Sequence, residues 1–173
     1  MNRHYISYFI GTLLLIFLQA VVLNHLRVFA YFMPVLYLYP LLKLPYETPK
    51  WVNVLLGALT GIVMDLLMNT PGLNMASGAL TGYLRRPLLS AFLSEEALEE
   101  SEGALVPESR VMKFFPYFFY LLTLTAIHVS TLFLLEGFSI GIFTLILPYI
   151  LGSIVFTVLL CLLFDLFARR KRD

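Results

Sequence analysis

Six apolar stretches follow one another almost end to end, at 5–23, 28–44, 51–68, 73–92, 114–135 and 140–164. Each is close to the ~20 residues a helix needs to cross a hydrocarbon core of ~30 Å. Together they take up most of a chain of 173 residues, of which 60% are apolar and 13% charged. A soluble domain of that size cannot cover itself with so few polar residues, so lipid must cover it. The expectation is an all-α polytopic membrane helix bundle with six transmembrane helices, built as one integral membrane domain over 1–173.

The charges give that bundle an orientation. With the N-terminus in the cytoplasm, Arg3, Lys43, Lys50, Arg85, Arg86, Arg110, Lys113 and the run Arg169 to Arg172 all fall inside, and Arg27 alone falls outside. Lys and Arg accumulate in short cytoplasmic loops, so this asymmetry predicts both termini inside. The net charge of +1 is the sum of two opposed clusters. One is an acidic loop at about 94–112 with Glu95, Glu96, Glu99, Glu100, Glu102 and Glu108, read as a solvated linker with docking on a basic partner as the alternative; the other is a basic tail at 168–173 that anchors the topology. Neither argues for nucleic acid. The first segment resembles a secretory signal only at Arg3 and His4; its apolar run is too long and no small-x-small cleavage site follows, so it reads as a retained span.

The second span carries Pro34 and Pro40 with Tyr31, Tyr37 and Tyr39. Each proline frees a backbone carbonyl that a neighbour must satisfy, which predicts a kinked, partly protein-facing helix. Tyr37, Tyr39 and Trp51 read as interfacial aromatics at the cytoplasmic boundary. In the fourth span the apolar stretch runs out at Arg85, so Leu88, Leu89, Phe92 and Leu93 are expected along the interface.

A five-residue pattern occurs twice: Gly57-Ala58-Leu59-Thr60-Gly61 in the third span and Gly78-Ala79-Leu80-Thr81-Gly82 in the fourth. Two glycines one turn apart let helix backbones approach closely, so the two strips are expected to pack as an antiparallel pair. Asp65 follows Gly57 and Gly61 at intervals of four and shares their face. A carboxylate at membrane depth costs ~2.5–3.5 kcal/mol even on lenient scales. It is expected to point into the helix pair or toward a partner, hydrogen-bonded or protonated. His128 lies on one strip with Thr125 and Thr131 and is expected to bond across helices. No HExxH and no cysteine pair accompany it, so a metal site has no support, and the lone Cys161 reads as packing. Asp165 falls at the watery mouth of the last span and calls for no partner. Ser77-Gly78 with the distant His128 is a thin case for an intramembrane protease, because Met75 stands where a rhomboid-type motif has glycine.

The run Gly57 to Leu67, with Pro71-Gly72-Leu73-Asn74 and Gly82-Tyr83-Leu84, resembles the core signature of the rod shape-determining protein MreD family. Size, span number, the proline-bearing second helix and the basic C-terminal end extend the resemblance over nearly the whole chain; the long acidic loop departs from it. The resemblance implies a fold similar to the substrate-binding subunits of energy-coupling-factor transporters. It also implies a non-enzymatic, cofactor-free scaffold in the bacterial inner membrane, part of the cell-elongation machinery with MreC, the actin-like MreB, RodA and a class B penicillin-binding transpeptidase. Gly57, Gly61, Asp65, Gly78 and Gly82 are then the candidates for partner binding or helix packing. The competing expectation is a small-molecule-binding subunit of a vitamin transporter, although the first span offers only an isolated Ala20 where such subunits carry an Ala-x-x-x-Ala docking strip.

Overall fold

A computed structural model of the chain describes residues 2–23, 33–94, 105–137 and 143–170. Among these residues all regular structure is helical. Helix α1 (Asn2–Leu18) continues into a π turn at Gln19–Leu23. A 3-10 turn at Leu36–Leu38 leads into the short α2 (Tyr39–Leu42). The long helices α3 (Lys50–Met68) and α4 (Leu73–Phe92) form a hairpin; the single turn α5 (Ser109–Met112) then precedes α6 (Phe114–Gly137) and α7 (Phe143–Arg170).

Three helices are long and apolar enough to cross a membrane: α3, α6 and the stretch Leu145–Phe167 of α7. The apolar part of α1, Ile10–Val21, is shorter, and α4 carries Arg85 and Arg86 within its length. Large aliphatic and aromatic side chains cover the outside, with Leu66 79% and Phe115 71% exposed. Asn53, Asn74, Ser77, Thr81, His128, Ser153 and Thr157 are buried inside. An apolar exterior around a polar interior is the arrangement that suits lipid as solvent.

The helices pack in the order α3, α4, α6, α7, with the α3–α4 pair in the most extensive contact. Leu121, Leu124 and Val129 of α6 and Val158 and Cys161 of α7 belong to the buried core, so the cysteine is a buried packing group. Leu89 and Leu93 are also buried, because α4 runs straight on to Phe92. Leu88 and Phe92 are half-buried and Ser90 and Ala91 exposed, so the end of α4 is covered on one face.

The second apolar segment departs furthest from its expected form. Its described part is not a kinked spanning helix: residues 33–35 have no regular structure, and a 3-10 turn and a four-residue helix follow. Val35, Leu36, Tyr37, Leu38, Leu41 and Leu42 are all buried. Irregular backbone is tolerated in apolar surroundings only where its polar groups are covered by protein, and here protein covers it.

Between the acidic loop and α6 the chain folds back on the 44–50 turn. Tyr46 N–H donates to Leu105 O at 2.8 Å, and the Glu47 carboxylate accepts from Leu105 N–H at 3.1 Å. The loop's end is therefore docked on protein and not a free linker. Arg27, Tyr31, most of the loop glutamates and the end of the basic tail lie outside the described residues.

Candidate functional site

The hairpin is built on the two glycine strips. A Cβ added to Gly57 would run into the carbonyl of Gly78, and one on Gly78 into that of Gly57; likewise Gly61 faces the Asn74 carbonyl and Gly82 that of Asn53. Each glycine thus meets backbone of the opposite helix, which cannot give way as a flexible side chain does. The small-residue faces cover one another, so this seam is a packing surface within the chain.

Asp65 sits at the turn end of the same seam, where α3 ends at the left-handed Asn69 and Gly72 opens α4 at φ 86°. Gly72 occupies the N-cap position and has no side chain to cap the helix. Asp65 does this from the preceding helix. Its carboxylate accepts from the backbone N–H of Gly72 (3.1 Å), Asn74 (2.9 Å) and Met75 (3.0 Å), from the Thr70 hydroxyl (3.0 Å) and from the Asn74 side-chain amide (2.9 Å). The free N–H groups and the positive end of the α4 dipole are what a buried carboxylate needs. The expensive side chain is accounted for by the turn it holds.

From Asp65 a chain of hydrogen bonds runs into the bundle. Asn74 Nδ2 donates to Asp65 and to Thr70, which leaves its Oδ1 to accept from the Tyr37 hydroxyl at 2.8 Å. The same Tyr37 oxygen is hydrogen-bonded to His128 Nε2, also at 2.8 Å. The opposite ring nitrogen, Nδ1, faces the Thr81 hydroxyl at 3.1 Å. The Thr81 hydroxyl itself donates to Ser77 O at 2.7 Å, so the imidazole bridges two hydroxyls whose hydrogens are directed to Asn74 and Ser77. Asp65, Asn74, Tyr37, His128 and Thr81 link α3, α4, the broken segment and α6 into one buried unit.

Tyr37 is thus a central connector and not an interfacial aromatic, 2% exposed with its ring edge-on to His128. The expected strip around His128 is divided. Thr131 donates to its own helix at Ile127 O, and the fully buried Thr125 hydroxyl has no partner among the described residues. Ser77, the nucleophile of the protease reading, is buried and donates to Asn74 O.

The broken segment is held by side chains that replace the missing helical bonds. Gln19 donates to Pro34 O at 2.6 Å and accepts from Leu36 N–H at 2.8 Å; Ser153 and Thr157 of α7 accept from Met33 N–H (3.1 Å) and Val35 N–H (3.0 Å). Beyond α2, the Tyr120 hydroxyl donates to Leu42 O at 2.9 Å, and Arg85 donates to the carbonyls of Leu44 and Pro45. Arg85, counted from the sequence only among the cytoplasmic-side cations, is completely buried. Arg85 also donates to Asn53 Oδ1 at 3.5 Å, while its Nε has no partner among the described residues.

Asp165 is corrected too. It is 5% exposed, pairs with Lys43 at 2.7 Å, and accepts from the hydroxyls of Tyr39 (2.5 Å) and Tyr117. Lys43 also donates to Pro107 O at 2.8 Å and lies 4.8 Å from the Tyr117 ring centroid. One lysine thus ties the end of α2 to α7 and to the docked end of the acidic loop.

Sequence reasoning picked out the glycines, Asp65 and His128, and missed Tyr37, Asn74, Arg85 and the Lys43–Asp165 pair. Two prolines beside clustered tyrosines were the available signal for Tyr37, because freed carbonyls and buried hydroxyls satisfy each other. No family model, curated protein or solved structure matches the chain.

Proposed function

We propose that the chain is a non-enzymatic scaffold of the bacterial cell-elongation machinery, of the kind its resemblance to MreD implies. In this reading it crosses the inner membrane six times with both termini in the cytoplasm, α1, the broken segment and α4 completing the three longer spans. Its partners are MreC, MreB, RodA and a class B transpeptidase.

One observation carries the reading. The residues behind the resemblance form a single hairpin whose polar groups at the turn are bonded to one another. Gly57, Gly61, Gly78 and Gly82 lock two backbones together, and Asp65 closes their turn. A ligand would have to recruit Tyr37, Asn74 or His128, and these already bond in sequence. Such a bundle favours presenting fixed outer faces to other proteins over opening around a substrate.

The test is complementation in a rod-shaped bacterium lacking its MreD. The wild-type chain is expected to restore rods and to co-purify MreC, whereas Gly61→Leu inserts but does neither. Failure of the wild type on both counts, with a vitamin-dependent rise in the Tm of the purified protein, would replace the scaffold with the transporter subunit.

A further inference from the structure

The outward side of the α3–α4 hairpin carries an open groove of about 550 Å³ lined by Lys50, Trp51, Val54, Leu55, Ala58 and Tyr83. We propose that this groove binds one anionic phospholipid, its phosphate held between Lys50 and Arg86 and an acyl chain laid over Ala58. The inference requires α3 to lie in a membrane and is independent of the scaffold role.

The placement of the two cations follows from the hairpin register. Gly82 lies against Asn53, so Lys50, one turn before Asn53, is level with Arg86, one turn past Gly82. Arg86 also shares a face with Tyr83, three residues earlier, and Tyr83 walls the groove. Its guanidinium rests 5.5 Å from the Tyr46 ring centroid, which steers it along the surface. Among the described residues the one ion pair joins Lys43 to Asp165, so neither Lys50 nor Arg86 is neutralised by a described carboxylate. Two cations at one end of an apolar groove, with Trp51 and Tyr83 beside them, match a phosphate above a hydrocarbon chain.

The character of the walls separates a lipid from a partner helix. Close helix docking in a membrane uses small residues, and the glycines of both helices are turned inward and consumed by the seam. The outward face instead bears Trp51, Leu55 and Tyr83, all exposed, around the single small Ala58. The lining also offers no carboxylate to meet the ammonium of a zwitterionic headgroup.

Native mass spectrometry of the full-length chain, with phosphatidylglycerol or phosphatidylcholine of identical acyl chains, reads the site directly. The wild type is expected to retain one phosphatidylglycerol in preference to phosphatidylcholine by on the order of tenfold. Lys50→Ala with Arg86→Gln should bring that ratio close to one, and Ala58→Phe should lower retention of both lipids. Lys50→Glu changes one exposed side chain and should reverse the preference, so the test survives if the double variant fails to fold. Equal retention of the two lipids by the wild type, an unmoved ratio in the charge variants, or a second copy of the chain bound in place of lipid would overturn the proposal.

Discussion

The Asp65 carboxylate accepts from the backbone N–H of Asn74 and from that residue's side-chain amide, both at 2.9 Å, so one residue pair closes the α3–α4 turn and begins the buried chain. Closing the turn and starting the network are coupled through Asn74, whose Oδ1 faces Tyr37.

Replacing Asp65 with alanine leaves the first N–H groups of α4 without their acceptor. Cap loss alone is worth about 0.5–2 kcal/mol, and stranded buried donors add to it. Reversible unfolding of purified Asp65→Ala in mixed micelles is expected to show a loss of about 3 kcal/mol. A loss below about 0.5 kcal/mol would mean that water replaces the carboxylate and that Asp65 is not a structural cap.

The glycine seam can be probed by adding one carbon. Gly57→Ala and Gly78→Ala each push a methyl into a carbonyl of the opposite helix, so the helices must separate. Overpacking of this sort costs about 1–3 kcal/mol. Gly11→Ala in α1 is the control, because nothing lies within 4 Å of its added carbon; there the helix gains up to about 1 kcal/mol in propensity. Equal effects at all three positions, measured by the same unfolding assay, would contradict the close backbone approach.

Tyr37→Phe removes one oxygen and strands Asn74 Oδ1 and His128 Nε2 together. The expected loss is about 2 kcal/mol, from desolvated groups left unpaired. A cycle with His128→Leu checks the connection: the double variant should be less destabilised than the sum of the singles by at least about 0.5 kcal/mol. Strict additivity would show that the two side chains do not communicate.

The Lys43–Asp165 pair gives a similar asymmetry at the opposite end of the bundle. Lys43→Met leaves a buried carboxylate facing two tyrosine hydroxyls, and breaking such a pair costs about 3–5 kcal/mol. Lys43→Met with Asp165→Leu removes both charges and should recover more than half of that loss. If the double variant is no better than the single, the ion pair is not what holds α2 to α7.

The hairpin was legible in the sequence because everything that shapes it is local: two glycine strips, a carboxylate four residues beyond the second glycine of α3, and a Pro-Gly turn. The limits of α3, α4 and α6 followed from the apolar lengths. What hydropathy could not show is partnership across the chain. Tyr37 meets His128 91 residues away, and Tyr39 meets Asp165 126 residues away. A tyrosine near the end of an apolar run reads as interfacial until its partner is known. Arg85 escaped for the same reason, since its acceptors, the carbonyls of Leu44 and Pro45 and the side chain of Asn53, lie 32 or more residues away.

The way the broken segment is held also sets an order of events during synthesis. Gln19 is already made when residues 33–36 leave the ribosome, but Ser153 and Thr157 arrive more than a hundred residues later. Until then the N–H groups of Met33 and Val35 have no acceptor in α7, and hydrocarbon offers none. The broken segment therefore reaches its described form only once α7 has been made, however early its own residues are.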